Sequence, residues 1–155
     1  FCENELSEAG WSKKIAQVNH TYTSREGTVR GIHFQRPPHA EMKLVICVIG
    51  EIWDVAVDLR SESETYLEQF AVKLSSQRGD ALLIPEGFGH GFQTLTDNVH
   101  MVYCHSTFYA PDAEGGINPS DKTLSINWPL RISNISDRDQ ALPNIDQNFS
   151  GLRDL

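Results

Sequence analysis

Short apolar stretches separated by turn-forming residues dominate the chain and predict a protein built from strands. The run 43–49 is apolar after its first residue and predicts a strand buried on both faces. Gly50 permits a tight turn before a second strand at 52–59, where the even spacing of Asp54 and Asp58 places both carboxylates on one face. Further strands are predicted at 70–74, 81–84, 91–95 and 99–108.

Helical patterns are few, and strands this short and evenly spaced are typical of an antiparallel sandwich or barrel. The best helical candidate follows Ser136, which can cap a short helix with Asp139 at the capping-box position before Pro143 ends it. The tail 144–155 is polar and is expected to be loose. A length of 155 residues without a repeat or linker predicts a single domain over 1–155.

Composition narrows the classes of partner. The formal net charge is −8 and no cluster of Lys or Arg stands out, so we expect neither nucleic acid nor a membrane as partner. No apolar run approaches the ~20 residues that cross a bilayer. Cys2, Cys47 and Cys104 fit neither a zinc motif nor a disulfide framework, and Cys47 is expected to be a buried thiol. A reducing cytoplasm is the simplest interpretation.

The segment 79–90 has the form Gly-x5-Pro-x-Gly-x2-His, the second sequence motif of the cupin barrels. Pro85 and Gly87 turn the chain between two strands, and His90 is then delivered to the barrel interior. The predicted fold class is therefore all-β, a cupin-type antiparallel β-jelly-roll barrel with a few short helices.

Metal-binding cupins carry an additional first motif with two histidines and an acid, and this chain preserves it only in part. Gly27 and His33 have the required spacing, but Gln35 holds the second histidine position and the acid is displaced to Glu41. Catalytic metals usually need about three protein ligands. We therefore expect no metal, with His39 and Glu41 as the possible replacement ligands.

Interior histidines without a metal suit acid–base chemistry. A histidine in a barrel mouth is a natural general base near neutral pH, and Asp139 or Asp54 could fix its tautomer. Arg30 and Lys43 suit an anion or a developing oxyanion, and Tyr103 could donate a proton. Taken singly, Lys43 could be a surface strand end, Tyr103 a core aromatic and Asp139 a helix cap. Together they are the parts needed for proton abstraction next to a carbonyl.

Taken together, these residues resemble the dTDP-4-dehydrorhamnose 3,5-epimerase family over nearly the whole chain, from Phe1 to about Pro143. The resemblance implies a cupin-type barrel, usually a homodimer, that acts on a dTDP-sugar without metal or organic cofactor. The segments that carry it are 17–20, 27–35 (Gly-Thr-Val-Arg-Gly-Ile-His-Phe-Gln), 40–45, 54–60, 84–92, 108–111, 126–129 and 135–139.

The resemblance also implies roles for single residues in an epimerisation at C3, C5 or both, next to a C4 ketone, in deoxysugar biosynthesis of the dTDP-L-rhamnose type. His33 matches the family's base, Asp139 its dyad partner, and Lys43 the residue that stabilises the C4 enolate. Tyr103 matches the acid that returns a proton from the opposite face of the sugar. Substrate-binding positions are matched by Arg30, His90, Gln17, Asn19, Tyr109 and Glu114.

One departure and three alternatives stay open. The family usually carries a further N-terminal strand that crosses to the dimer partner and brings an arginine and an aromatic to the nucleotide. This chain begins at Phe1, so we expect that strand to be missing, with Arg30 and Lys73 as the remaining cations.

The alternatives are an enzyme that inverts a single centre of another keto-sugar nucleotide, a metal-dependent cupin isomerase or dioxygenase, and a non-catalytic sugar-binding cupin. Gln35 argues against the metal enzyme.

Overall fold

Two β-sheets form the body of the protein, and a computed structural model describes residues 2–155 of it. Phe1, where the expected domain and the family resemblance begin, lies outside the described residues. The strands are β1 (Gln17–Thr23), β2 (Thr28–Gln35), β3 (Lys43–Ile49), β4 (Glu51–Asp58), β5 (Gln69–Ser75), β6 (Ala81–Ile84), β7 (Phe88–Thr94), β8 (Val99–His105), β9 (Glu114–Gly116) and β10 (Asn134–Ile135). The helices are α1 (Glu3–Glu8) and α2 (Asp137–Gln140), with a short 3-10 turn at Pro111–Ala113.

The two sheets have the strand orders β1-β8-β3-β6 and β10-β2-β7-β4-β5, and β9 also pairs with β2. The pairings between these strands are antiparallel, apart from the short parallel pairing of β10 with β2. The antiparallel, mostly β architecture predicted from the spacing of the apolar runs is confirmed. The predicted helix is confirmed as α2, with the Ser136 side chain accepting a hydrogen bond from the Asp139 backbone N–H at 3.1 Å.

The core between the sheets comes from residues that alternate along each strand. Val45 of β3 and Met101 of β8 pack there against Ile52 and Ala56 of β4. Asp54 and Asp58 lie on the same face of β4 as Ile52 and Ala56, as their spacing predicted, and both are buried. Polar side chains are therefore carried into the space between the sheets by strands that are otherwise apolar.

Other parts of the chain cover part of the outer face of each sheet. Leu44 of β3 packs against Trp11 of the N-terminal segment, which confirms burial on both faces for the first part of that strand. The prediction is wrong at the end of β3, where Val48 and Ile49 are exposed because no element of residues 2–155 covers them. The other face of β4 carries Val55 and packs under the C-terminal third of the chain.

The tail 144–155 is packed where its polarity led us to expect a loose segment. Leu152 is 6 % exposed and forms a β-bridge with Arg60, and its N–H donates to Leu59 O at 2.6 Å. Ile145 and Phe149 pack into the same cluster. Three apolar residues spread over a polar stretch are enough to attach it to the outer face of the second sheet, which is why its average polarity was misleading.

The described helices include none that is long and apolar enough to span a membrane. Each of the three cysteines is free of disulfide bonds within the described chain. Cys47 is buried, as its apolar surroundings in the sequence predicted, and burial raises the pKa of its thiol to about 11.

Candidate active site

A cavity of about 530 Å³ opens between the two sheets and gathers nearly all of the predicted site residues. β2 and β7 supply one wall, and β1, β3 and β8 supply the facing wall. The polar and ionisable side chains that line it include Asn19, Arg30, His33, Glu41, Lys43, His90, Tyr103, His105, Tyr109, Glu114, Arg138 and Asp139.

His33 and Asp139 form a hydrogen-bonded pair on the first wall. His33 Nε2 donates to Asp139 Oδ1 at 2.7 Å, and Asp139 Oδ2 accepts from the backbone N–H of Gly31 at 3.2 Å. Burial alone would raise the pKa of Asp139, but the hydrogen bond and charge of His33 and the bonds from Gly31 and Ser136 together hold it below its ordinary value. Because the carboxylate holds the proton on Nε2, the lone pair of the neutral ring lies on Nδ1.

His90 forms a second histidine–carboxylate pair beside the first. It is the direct cross-strand neighbour of His33, and its Nε2 donates to Asp54 Oδ1 at 2.7 Å. Asp54 is fully buried, and its Oδ2 has no hydrogen-bond partner among the described residues. Asp54 was one of two carboxylates considered for His33; the structure gives Asp139 to His33 and Asp54 to His90.

Tyr103 approaches from the facing wall. It lies on β8 and is 8 % exposed, with its ring centroid 5.9 Å from that of His90 in an edge-on arrangement. Burial, and after it the negative charge of Asp54, raises the pKa of the phenol well above its ordinary value. The hydroxyl is therefore protonated at neutral pH, and in this structure it donates to Met101 Sδ at 3.4 Å.

Lys43 lies on the same wall as Tyr103, opposite His105 of β8, and it lines the cavity and is not at the surface. Its Nζ is 3.1 Å from Glu41 Oε1, and the other oxygen of Glu41 accepts from His105 Nδ1 at 2.8 Å. Burial alone would raise the pKa of Glu41, but the hydrogen bond from His105 and the charge of Lys43 hold it below its ordinary value. Glu41 is thus an ionised partner of Lys43.

The replacement metal ligands considered from the sequence do not come together. His39 is not on the cavity wall, and Glu41 already accepts from Lys43 and His105. Over residues 2–155, no three His, Cys, Asp or Glu side chains form a group that could hold a metal ion.

The mouth of the cavity carries a charged cluster that the sequence predicted in part. Tyr109 Oη donates to Glu114 Oε2 at 2.7 Å, and Arg138 forms an ion pair with the same carboxylate. Tyr109 and Glu114 were expected to contact substrate, whereas Arg138 was not singled out. The available signal was its position next to Asp139: a short helix that brings one residue to the cavity brings its neighbour to the rim.

Four other predicted positions divide between the cavity and its surroundings. Arg30 and Asn19 line the cavity, whereas Gln17 lies just outside it on the same face of β1 as Asn19 and donates to Asn19 Oδ1 at 3.0 Å. Lys73, expected as a second cation for phosphate, is outside the cavity and forms an ion pair with Glu51 at 2.8 Å. Strand β5 lies at the far edge of its sheet, and this distance from β2 removes Lys73 from the site.

Comparison with known proteins gives one consistent result. The chain matches the family described as dTDP-4-dehydrorhamnose 3,5-epimerase over residues 1–147. The enzyme of that name from Shigella flexneri is 44 % identical over 140 residues, which is 90 % of this chain and 77 % of the relative.

Two solved structures show the same architecture. The dTDP-4-dehydrorhamnose 3,5-epimerase from Bacillus anthracis, with TDP and PPi bound, has a TM-score of 0.90 at 36 % identity and covers 94 % of this chain and 83 % of its own. A 3'-monoepimerase from Streptomyces bikiniensis, in complex with dTDP-quinovose, has a TM-score of 0.85 at 37 % identity over 93 % of this chain and 73 % of its own. The predicted cupin-type all-β fold is confirmed by these similarities.

Proposed function

The chain belongs to the dTDP-4-dehydrorhamnose 3,5-epimerase family, and from this premise we propose that His33 and Tyr103 carry out its reaction from opposite walls of the cavity. The protein is an enzyme of the isomerase class. Its reaction is the epimerisation of a dTDP-4-keto-6-deoxyhexose next to the C4 ketone, a step of deoxysugar biosynthesis. Inversion at both C3 and C5 is our proposal for the number of centres.

The proposed chemistry assigns one task to each of four side chains. The lone pair of His33 Nδ1 takes the acidic hydrogen on one face of the sugar, and the bonding electrons move into an enolate with its charge on the C4 oxygen. Asp139 stabilises the imidazolium, and the Lys43 ammonium stabilises the enolate oxygen. The Tyr103 hydroxyl then donates its proton to the same carbon from the other face. Proton exchange with solvent restores neutral His33 and the phenol.

The proposal is supported most directly by the positions of the base and the acid, which lie in different sheets. His33 lies on β2 of one sheet and Tyr103 on β8 of the other, with the cavity between them. Inversion requires removal and return of a proton on opposite faces of a carbon. A single group would return the proton to the face from which it was taken.

The experiment is incubation with dTDP-4-keto-6-deoxyglucose in heavy water, with the wild type beside His33→Ala. We expect deuterium at C3 and C5 of the product with the wild type and almost none with the variant. His100→Ala is the matched control, because His100 lies at the start of β8 and on the outer face of its sheet. Equal exchange by wild type and His33→Ala would remove His33 as the base.

A single-centre epimerase is the second candidate, favoured by the similarity to the 3'-monoepimerase. Both enzymes would use the same base and acid, so the site residues do not count the inversions. The heavy-water experiment separates them. Label confined to one of the two carbons, with none at the other after longer incubation, would establish a single-centre enzyme.

Nucleotide binding, assembly and location belong to the same proposal. Arg30 is the cation on the cavity wall that suits a phosphate, and Tyr109 and Glu114 at the mouth suit the nucleoside.

A homodimer is supported by exposed apolar residues on the edge strand β1, Val18 and Tyr22. Light scattering on the purified protein tests the dimer. A cytoplasmic location is supported by the three unpaired thiols in the described chain.

A further inference from the structure

A continuous series of hydrogen bonds runs along the inner face of the first sheet and ends on Lys43. Its members, which we call the relay, are Gln17 and Asn19 of β1, His105 of β8, Glu41 and Lys43. The strands β1, β8 and β3 are consecutive neighbours in the sheet, so the relay crosses the wall from its edge to its centre. Glu41 and His105 have no role in the reaction described above.

The direction of every bond in the relay follows from its first donor. The backbone N–H of Tyr109 can only donate, and it does so to Gln17 Oε1 at 3.1 Å. The amide nitrogen of Gln17 therefore faces Asn19, and donates to its Oδ1 at 3.0 Å. The amide nitrogen of Asn19 then faces His105 Nε2 at 3.4 Å, so that this ring nitrogen accepts.

The fixed direction determines the state of His105. With Nε2 accepting from Asn19, the ring is the neutral tautomer with its proton on Nδ1, and that proton is donated to Glu41 Oε2 at 2.8 Å. A doubly protonated ring would place two donors against each other at Asn19. Glu41 thus keeps a full negative charge, with the Lys43 ammonium as the cation that it contacts.

We propose that His105 is a positioning residue, which holds Glu41 by one oxygen so that the other oxygen fixes the Lys43 ammonium where the substrate's C4 oxygen binds. This inference rests on the proposed function, in which Lys43 stabilises the enolate. An ammonium is a point charge on a flexible stem, and both side chains of the pair are about nine-tenths buried. A preorganised charge stabilises an oxyanion without reorganisation during the reaction.

The relay also gives Gln17 and Asn19 a role that a substrate contact alone does not explain. Both polar atoms of the Gln17 amide and both of the Asn19 amide are used within it. Gln17, which lies just outside the cavity on the inner face of β1, therefore acts on the reaction through Asn19 and His105.

The test compares two substitutions of His105 that differ in one hydrogen bond. In His105→Asn, an amide N–H stands near the place of Nδ1–H and can still donate to Glu41, whereas His105→Leu has no donor. We expect His105→Leu to lower kcat roughly tenfold to 100-fold with little change in KM, because a misplaced group is felt most in the transition state. His105→Asn should recover most of that loss. His100→Leu, on the outer face of the same strand, is the control and should match the wild type.

A double-mutant comparison separates positioning of Lys43 from a general effect on the fold. Glu41→Gln is measured in the wild type and in Lys43→Gln. We expect Glu41→Gln to lower kcat in the wild type and to change nothing further when Lys43 is already absent. If Lys43→Gln does not fold, the His105 pair decides alone.

The failure of this inference is distinguishable from failure of the proposed function. A wild type that incorporates no deuterium from heavy water into the keto-sugar contradicts the function itself. A wild type that exchanges normally, with His105→Leu equally fast, contradicts the positioning role. Equal losses in His105→Leu and His105→Asn contradict it as well, since they would show that the ring's bulk matters and its donor does not.

Discussion

Asp139 combines two tasks that the sequence suggested separately, a helix cap and a partner for a base. Its backbone N–H bonds the Ser136 side chain and begins α2, which leaves its carboxylate free to bond His33 and the Gly31 N–H. A capping box would have turned that carboxylate back to the N-terminus of the helix. The local cap therefore sets the backbone, and the long-range partner takes the side chain.

Asp139→Asn is predicted to abolish most activity while the fold survives. The amide can present an N–H to Nε2, which moves the ring proton to Nδ1 and leaves no lone pair toward the substrate. We expect kcat to fall by about 100-fold or more. Deuterium exchange and denaturant unfolding measure the two effects. Ser136→Ala is the contrasting variant: it should lower stability by about 1 kcal/mol through the lost cap and retain exchange. Loss of exchange only in Ser136→Ala would contradict this division.

The chemistry of single residues was predictable from the sequence where local motifs carried it, and the partners were not. His33 and His90 stand in motifs of fixed spacing, and both reach the cavity. The pairing of Glu41 with His105 depends on the register of β3 against β8, which places residues 64 positions apart in contact. No short-range pattern encodes that register, so the relay could be found only in the folded chain.

Strands β2 and β7 leave no room for a side chain where Gly31 and Gly91 face each other. A Cβ on Gly91 would come within 2.7 Å of Arg30 O and 2.5 Å of Ile32 Cδ1. Real Cβ atoms do not approach backbone oxygens so closely, so the strands would have to separate. The same two strands carry His33 and His90 as cross-strand neighbours.

Gly91→Ala is therefore predicted to damage both stability and catalysis. We expect a loss of about 2 kcal/mol in the free energy of unfolding, since overpacking forces backbone shifts, and a fall in kcat from the displaced histidines. Gly79→Ala is the informative control: unlike Gly91, Gly79 has a positive φ, of 65°, which strains an alanine, but its added methyl group meets open space. It should lose some stability and no activity. Unchanged kcat in Gly91→Ala would show that the close approach of the strands is not needed.

The end of β4 is joined to the following loop by Asp58. Its carboxylate is buried and accepts from Arg60 Nη2 at 2.6 Å, Ser63 Oγ at 2.6 Å and Thr65 Oγ1 at 2.7 Å. Burial alone would raise the pKa of Asp58, but the bonds from Arg60, Ser63 and Thr65 outweigh it and hold the pKa well below its ordinary value. Because the pKa of Asp58 is lowered in the folded state, the stability that this cluster contributes depends on pH.

Asp58→Asn is predicted to destabilise the protein at neutral pH and much less in acid. A carboxyl with a depressed folded pKa contributes stability above its unfolded pKa of about 4 and loses that contribution as pH falls toward the folded value. We expect a loss of about 2 kcal/mol near neutral pH, from bonds to a charged group. Urea unfolding at a series of pH values below neutrality measures the difference, with exposed Asp112→Asn as control. A difference between wild type and Asp58→Asn that stayed constant down to the lowest pH would contradict the linkage.

Both sheets had to be assembled before the site could be understood, and here the sequence was least informative. The alternating strands predicted an all-β fold, but not that β2 and β8 would face each other across one cavity. Nor did the polar tail reveal that Leu152 covers the outer face of the second sheet. Sheet packing depends on contacts between distant segments, whereas periodicity reports only the faces of each strand.

Tyr103→Phe tests the consequence of having the base and the acid in different sheets. Without the hydroxyl, His33 can still remove a hydrogen and return one to the same face, so deuterium should enter the recovered substrate while epimerised product falls by about 100-fold or more. Nuclear magnetic resonance of substrate and product, followed over time in heavy water, separates wash-in from inversion. Tyr22→Phe, on the outer face of β1, is the matched control and should invert normally.

Inversion by Tyr103→Phe at the wild-type rate would assign the acid to another group on that wall. Loss of both wash-in and inversion would mean that the phenol is needed for proton removal too, and that the two walls do not act as separate donors and acceptors.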